Sequence, residues 1–447
     1  MTERMKAVAA VGVVAAFWLA AWMLVAALVA QPLILPGPGA VALALLRLVC
    51  GGSTWAILAG SGARILGGLA LAAVCGGVLA GVSVRSRTFS RLVAPALSFV
   101  KATPVACVVV LLLIWLGSAR VSIAAVFLMA LPGVYFSLVE GLTQADKPLE
   151  QMFRLHGVRG WRLFCAHTWR EVLPFALSCA RAVIGMSWKA GVAAELIGMA
   201  AGAVGERIYQ AKLLIETADL LAWTVLVVAA SWACERVLVW LLRASGPVAW
   251  GAAVRAHGRA GGSAGGGAAA ELAFAVGDRA PWAQALDGLV LNIPAGESIC
   301  VMGASGMGKS TLLSLAAGEC APCSMVFQDV RLVEDASALD NVLVCADARV
   351  DASSATALLR LLVPGIDVRA RVAELSGGQR RRVEIARALL CPGDAVILDE
   401  PFTGLDAAAR DACAEVVLDL LDGRMLLLAT HDAADARALD ISGIITL

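Results

Sequence analysis

Charge is scarce in this chain. Asp, Glu, Lys and Arg make up 16% of its 447 residues, against roughly 25% in ordinary soluble domains. Hydrophobic residues make up 60%. At roughly 150 residues per domain the length would allow about three soluble domains. The composition excludes them, because an apolar excess of this size, with a mean hydropathy of +0.81, needs lipid as part of the solvent. Global disorder is excluded for the same reason. Net charge is nearly absent, 36 Lys+Arg against 35 Asp+Glu, and no basic stripe with interleaved aromatics offers a footprint for nucleic acid. Cys320 and Cys323 form a CxxC pair with no second pair beside it, so the four-ligand set of structural zinc is missing. Other cysteines, such as Cys75, Cys107 and Cys179, sit in apolar runs as small hydrophobes. No internal repeat stands out.

What is present is unevenly distributed. Up to about Arg243 the chain is a series of long apolar segments, and a membrane span needs about 20 such residues. The runs predict helices near Ala7–Ala30, Ile57–Val84, Thr103–Leu116, Val121–Gly141, Val172–Ala200 and Leu220–Leu242, the third beginning further back, near Leu92. The first is too long for the apolar core of a signal peptide and reads as an anchor. Basic residues cluster in particular connections: Arg4 and Lys6; Arg85, Arg87 and Arg91; Lys147, Arg154, Arg159, Arg162 and Arg170; Arg243, Arg255 and Arg259. The positive-inside rule puts all these groups, and both termini, on the cytoplasmic face. Residues 244–270, with the run Gly261–Gly267, have the composition of a flexible linker. From about Glu271 short β-type runs, Ser298–Met302 and Ala395–Leu398, alternate with helical stretches, as in an α/β domain. The expected layout is a transmembrane domain over 1–243, a linker over 244–270 and a soluble domain over 271–447.

The soluble part carries the chemistry. Gly303-Ala304-Ser305-Gly306-Met307-Gly308-Lys309-Ser310-Thr311 matches G-x-x-x-x-G-K-[ST], after an apolar strand and before the helical run Leu312–Ala317. Glycines there let backbone N–H groups close around phosphate oxygens at a helix N-terminus. Lys309 reaches the β and γ phosphates, and Ser310 is a Mg²⁺ ligand. A second strand, Ala395–Leu398, ends in Asp399-Glu400. The first acid stands where such enzymes hold Mg²⁺, and the second can polarise an attacking water as general base.

Leu375-Ser376-Gly377-Gly378-Gln379 makes the pattern specific. Residues 271–447 resemble the ATP-binding cassette family, with its motifs in the family's order. Gln328 in Val-Phe-Gln-Asp matches the Q-loop glutamine. Ser376–Gln379 is the signature, followed by the basic helix Arg380–Leu389. Asp399 and Glu400 match the Walker B pair, Asp406 in Gly-Leu-Asp the D-loop, and His431 the switch histidine. The resemblance implies an α/β P-loop ATPase binding ATP and Mg²⁺, with Ser310, Asp399 and Gln328 as metal ligands. Gln328 also links the site to the membrane domain, and His431 holds the γ-phosphate and water. One chain has one P-loop and one signature, so it implies a homodimer. The stretch from Lys309 to Gln328 is shorter than the family's usual spacing, and the β-hairpin found there is expected to be absent. The aromatic that stacks on adenine aligns near Val276, leaving Phe274 or Trp282 as substitutes.

The segment from Leu35-Pro-Gly-Pro38 onward resembles the permeases of nitrate/sulfonate/taurine-type importers. The matching stretches are Leu35–Pro38, Ser61–Gly67 with Arg64, Lys101–Pro104, and Ala193–Gly198 with Glu195. Pro148–Gly157 occupies the place of the cytoplasmic coupling loop that docks on the cassette. Aligned on Gly157, the usual glutamate falls on Gln151. Arg64, Lys189 and Glu195 are intramembrane charges, which normally face a partner or a cavity. Lys189 and Glu195 lie about 600° apart around a helix, on different faces.

The expectation is a helical transmembrane bundle of about six spans followed by an α/β P-loop ATPase. It implies a multi-pass protein of a bacterial inner membrane that imports a small solute as a homodimer, with an extracytoplasmic solute-binding protein and no nucleic-acid partner. An ABC exporter and a membrane-anchored ATPase that gates or signals are the rival readings.

Overall fold

The computed structural model describes residues 2–257, 272–275, 290–294, 296–304, 306–320, 322–441 and 443–447. Ser305, Val276, Trp282, Glu271 and the run Gly261–Gly267 lie outside the described residues. The chain opens with α1 (Thr2–Val29), α2 (Pro38–Cys50), α3 (Gly52–Arg85), α4 (Arg87–Ala102), α5 (Val105–Leu116) and α6 (Ser118–Gln144). The short helices α7 (Lys147–Leu155) and α8 (Gly160–Leu163) and a π-helical turn, Phe164–Thr168, lead into α9 (Trp169–Gly198), α10 (Val204–Leu213) and α11 (Thr217–Arg255). Then come β1 (Leu272–Ala275), β2 (Val290–Ile293), β3 (Ser298–Met302), α12 (Lys309–Glu319), β4 (Ser324–Val326), α13 (Ala338–Leu343), α14 (Ala352–Leu362) and α15 (Gly377–Leu390). The chain closes with β5 (Ala395–Asp399), α16 (Ala407–Leu420), β6 (Met425–Thr430), α17 (Ala433–Ala438) and β7 (Gly443–Thr446). Contacts divide the chain into two compact units, Met1–Gln144 with Val172–Ser245, and Ala145–Glu171 with Gly246–Leu447.

In the first unit α1, α3, α6 and α11 are long and apolar enough to cross a membrane. A fifth candidate is the pair α4 and α5, bent by 103° at its break. The sequence reading of one span running back towards Leu92 is corrected here. Pro104 removes a backbone donor and drives Thr103 out of helical geometry, so the chain turns at that point. The expected count of about six spans falls to four or five by length and composition. At 30 residues α9 is long enough, but Arg181, Lys189 and Glu195 dilute its apolar run.

A buried polar knot ties this unit together. Glu195, fully buried on α9, accepts from Arg64 Nε at 2.9 Å and Ser61 Oγ at 2.8 Å, both on α3. The Val204 N–H at the start of α10 donates to Ser61 Oγ at 3.0 Å, and Arg64 Nη2 donates to the same oxygen at 3.1 Å. Every acceptor in the knot is used, as a buried charge requires.

The second unit is built on a five-stranded sheet in the order β4-β5-β6-β3-β7, all pairs parallel. Its inner strands β5 and β6 are buried throughout, the continuous apolar pattern of a sheet covered on both faces. β1 pairs antiparallel with β2. The predicted strands and the helix after the P-loop form where their patterns put them. Composition assigned residues 244–255 to the linker, yet α11 continues to Arg255.

Residues 145–171 pack into this same unit. Asp146 caps α7 by accepting from Leu149 N, and α7 buries Met152, Phe153 and Leu155. Leu155 O accepts from Cys323 N at 3.0 Å beside the edge strand β4. At the very next residue the His156 ring reaches Met325 in the strand itself, with Nε2 3.1 Å from its amide nitrogen and 3.2 Å from its carbonyl oxygen.

Candidate nucleotide site

Where β3 gives way to α12 the chain makes the tight turn of a phosphate loop. Gly306 and Gly308 have φ of +89° and +92°, backbone that a side chain would strain. Lys309, buried in the first turn of α12, folds back over the loop. Its Nζ donates to Gly303 O at 2.7 Å and to Ala304 O at 3.1 Å. Next along the helix, Ser310 hydrogen-bonds the Asp399 carboxylate at the C-terminal end of β5. Burial pushes the Asp399 carboxyl above its ordinary range, with the hydrogen bond from Ser310 opposing it. Hydroxyl and carboxylate oxygens are the hard donors that Mg²⁺ selects, so the donor set fits that ion. Thr311 follows, half-buried on α12.

Glu400, one residue past the strand, adopts a left-handed φ of +46° and anchors its own N–H on Ala429 O at 2.8 Å. This turn sends its side chain to His431, whose Nδ1 lies 3.2 Å from Glu400 Oε1. A non-glycine residue with positive φ is uncommon, and here it brings an acid and an imidazole together beside the metal-type donors. Lys309, Ser310, Asp399, Glu400 and His431 are thus gathered at the ends of β3, β5 and β6.

Ser376, Gly377, Gly378 and Gln379 form a separate feature. Ser376 caps α15 in a reciprocal box: its hydroxyl accepts from Gln379 N, while Gln379 Oε1 accepts from Ser376 N at 2.9 Å. Ser376 and Gly377 are exposed. Asp406 is likewise exposed and caps α16. Among the described residues, no hydrogen bond or ion pair joins Ser376–Gln379 to the P-loop of the same chain.

Gln328 is exposed, and its backbone is clamped from behind. Arg381 donates to Phe327 O and Gln328 O. Arg387 donates to Arg331 O, and Glu384 accepts from Arg331 N at 3.0 Å. Glu384 sits between the two arginines, 2.9 and 3.2 Å from them, with Glu384 and Arg387 fully buried. Burial raises the Glu384 carboxyl, against the pull of Arg387 and Arg381. Reading Arg380–Leu389 only as a basic helix missed this clamp. The signal was the i, i+3 spacing of Arg381, Glu384 and Arg387, which places them on one face.

The clamp continues onto the coupling-type segment. Arg331 Nη1 donates to Pro148 O at 3.2 Å and to Gln151 Oε1 at 3.4 Å, so the glutamine in the usual glutamate position still takes a partner. Arg162 donates to Val344 O at 2.7 Å, and Arg170 meets Asp335 at 3.0 Å. Burial and the nearby Arg387 hold the His156 imidazole well below 6.5, the Met325 backbone contact pulling weakly the other way. Burial pushes the Cys320 thiol up to about 11 and Cys323 up to about 12. Among the described residues no group of three or more His, Cys, Asp or Glu could hold a metal ion.

Known proteins align with these features. The ABC transporter family matches residues 286–403, and the family described as binding-protein-dependent transport system inner membrane component matches residues 73–248. An aliphatic sulfonates import ATP-binding protein of Paracoccus denitrificans is 35% identical over 179 residues, 37% of this chain and 72% of that protein. A taurine import ATP-binding protein of Pseudomonas aeruginosa is 39% identical over 173 residues, 33% of this chain and 66% of that protein. Among solved structures, a dimeric ATP-binding cassette in a post-hydrolysis state with ADP and Pi shares 25% identity. It aligns with a TM-score of 0.33 over 40% of this chain and 91% of its own. The chain spans about two thirds of the curated relatives' length, and the shared part is the nucleotide-binding half. The chain therefore belongs to the ABC transporters, joining an inner-membrane transport component and a nucleotide-binding ABC ATPase in one polypeptide.

Proposed function

We propose that this chain is one half of a homodimeric importer for small sulfonates, driven by ATP and supplied by an extracytoplasmic solute-binding protein. The observation that carries the reading is the Glu400–His431 contact beside Lys309, Ser310 and Asp399, in a chain that also holds the permease. One P-loop and one signature per chain mean that the exposed N-terminus of α15 serves the nucleotide of the second copy.

In that dimer Lys309 releases its loop carbonyls to bind the β and γ phosphates, with the backbone of Gly303, Ala304, Gly306 and Gly308 around them. Ser310 and Asp399, with Gln328, hold Mg²⁺, which neutralises phosphate charge when bound. Glu400 takes a proton from water as the water oxygen bonds the γ-phosphorus and the bond to the β-bridging oxygen breaks, leaving ADP. His431 steers the water and the γ-phosphate. Ser376–Gln379 and Asp406 of the second chain close over the other side.

Topology supports the membrane reading. Residues 145–171 and 246–447 share one compact unit, so the chain between them crosses the membrane an even number of times. With α11 as one crossing, α9 supplies the other, one span more than length and composition alone identify, and its charged residues need partners inside the bilayer. The positive-inside pattern makes that shared side cytoplasmic.

Glu400→Gln in reconstituted vesicles tests the assignment. Loss of a general base costs about 10²–10⁴-fold, so hydrolysis falls to about 1% or less while ATP binding persists and the closed dimer accumulates. A variant that hydrolyses ATP at the parent rate removes Glu400 from this role. Stimulation of hydrolysis by a ligand-loaded solute-binding protein is expected of an importer, and its absence moves the reading to export or signalling.

A further inference from the structure

The ATPase unit holds a second pocket, lined by none of the residues assigned above to nucleotide. It measures about 420 Å³, an ordinary size for a small-molecule site. One wall is the turn around α8, with Arg159, Trp161 and Arg162. The other is the end of α11, with Ala252, Ala253 and Ala256. All six belong to the same compact unit.

The two arginines differ from their neighbours. Within residues 145–171, Arg154 pairs with Glu150 at 2.6 Å and Arg170 with Asp335 at 3.0 Å. Arg159 is exposed, and its side chain makes no hydrogen bond or ion pair among the described residues. Arg162 is pinned at one end, where Nη2 donates to Val344 O at 2.7 Å. It meets no carboxylate among the described residues, and its buried Nε has no hydrogen-bond partner. No Asp or Glu lines the pocket among the described residues. Two guanidinium groups therefore line one cavity with no acid to balance them, and their planar donors suit a phosphate.

The rest of the lining is apolar. Trp161 is 74% exposed and is held by stacking on Phe164, with ring centroids 5.0 Å apart. The alanines of α11 form the facing wall. Inorganic phosphate wants donors on every side, and half of this pocket offers none. A molecule with phosphate at one end and hydrocarbon at the other matches both halves. The chain also brings the pocket close to lipid. The membrane unit resumes at Val172, about ten residues after Arg162, and leaves at Ser245, about seven before Ala252. Tryptophan concentrates at membrane–water interfaces, and basic pockets on the cytoplasmic side bind anionic headgroups.

Resting on the cytoplasmic placement argued above, and not on the identity of the solute, we propose that this pocket binds the headgroup of an anionic phospholipid from the inner leaflet. Arg159 meets the phosphate, Arg162 supplies a fixed positive charge, and Trp161 lies along the glycerol and the first methylenes.

The test titrates the delipidated full chain, in a neutral maltoside detergent, with dioctanoyl phosphatidylglycerol, dioctanoyl phosphatidylcholine or sodium phosphate. Binding is read by native mass spectrometry. The parent prefers phosphatidylglycerol to phosphatidylcholine by about tenfold, and millimolar phosphate does not displace it. A hydrogen bond to a charged group is worth tenfold or more, so Arg159→Gln weakens phosphatidylglycerol binding by about that factor. Arg159→Lys keeps the preference. Because Arg159 is exposed, the lipid-free melting temperature of both variants matches the parent, which separates lost binding from lost folding. Equal affinity for the two lipids, no binding of phosphatidylglycerol, or unchanged binding in Arg159→Gln overturns the proposal. Displacement by phosphate at the lipid's own concentration also overturns it, by giving the pocket to a soluble anion. Binding in micelles is independent of sidedness, so placement is tested apart, by trypsin cleavage at Arg159 in sealed vesicles. Cleavage in inside-out vesicles alone is expected. Cleavage in right-side-out vesicles alone overturns the cytoplasmic placement, and the inner leaflet with it.

Discussion

His156 should make the ATPase unit acid-sensitive. The ring is buried between Met152 Sδ, 3.1 Å from Nδ1, and the Met325 backbone at Nε2. Its pKa in the folded chain lies well below 6.5, through burial first and Arg387 second. Above pH 6.5 the folded and unfolded chains both carry a neutral ring, and the contact keeps its full stability. Below that value the unfolded chain takes up a proton that the folded one excludes. Stability then falls by up to about 1.4 kcal/mol per pH unit until the folded pKa is reached. Between pH 7.5 and 5.5 the loss is about 1.4 kcal/mol, or roughly 3–6 °C in melting temperature for a unit of this size. Thermal unfolding of the full chain at both pH values, compared with His156→Gln, isolates this effect. His167, also lowered by burial, and the raised carboxyls of Glu384 and Asp399 remain in both proteins. The same acid-induced drop in parent and variant would refute the reasoning.

Other sites carry equally definite expectations. Glu384→Ala leaves Arg381 and Arg387 buried without their shared carboxylate and should cost about 3–5 kcal/mol in denaturant unfolding; a loss below about 1 kcal/mol would mean the clamp is solvated. Gly205→Ala places a Cβ 2.3 Å from Leu196 N and 2.5 Å from Glu195 C. Because both are backbone atoms, the overpacking should cost about 1–3 kcal/mol, seen as a lower melting temperature of the detergent-solubilised chain. Lys309→Ala should weaken ATP binding itself, measured by nucleotide titration, unlike Glu400→Gln, which should bind ATP and fail to turn it over.

Much of the nucleotide site was legible because its chemistry demands a fixed order along the chain. A phosphate loop needs glycines before a lysine, and a metal-type acid must end a buried strand, so Lys309, Ser310 and Asp399 announce themselves. The left-handed turn at Glu400, which carries the acid to His431, is not written in any local pattern. Long-range pairs were harder still. Arg64 and Glu195 each looked costly alone, and only the packing of α3 against α9 reveals that they neutralise each other. The break at Thr103 was signalled by Pro104, although the apolar run on either side favoured one continuous span. His156 carried no signal beyond its place before Gly157, since the strand it touches lies far along the chain.

The way residues 145–171 build into the ATPase unit bears on how the protein is made. Those residues leave the ribosome first, followed by about 75 more before Gly246 begins the rest of the unit. At roughly 5–20 residues per second, this is a delay of about 4–15 s. During that interval Met152, Phe153 and Leu155, fully or nearly buried at the end, have no partner surface to cover them. Those three side chains therefore wait for the cassette, and their burial comes only after the intervening membrane segments have been made.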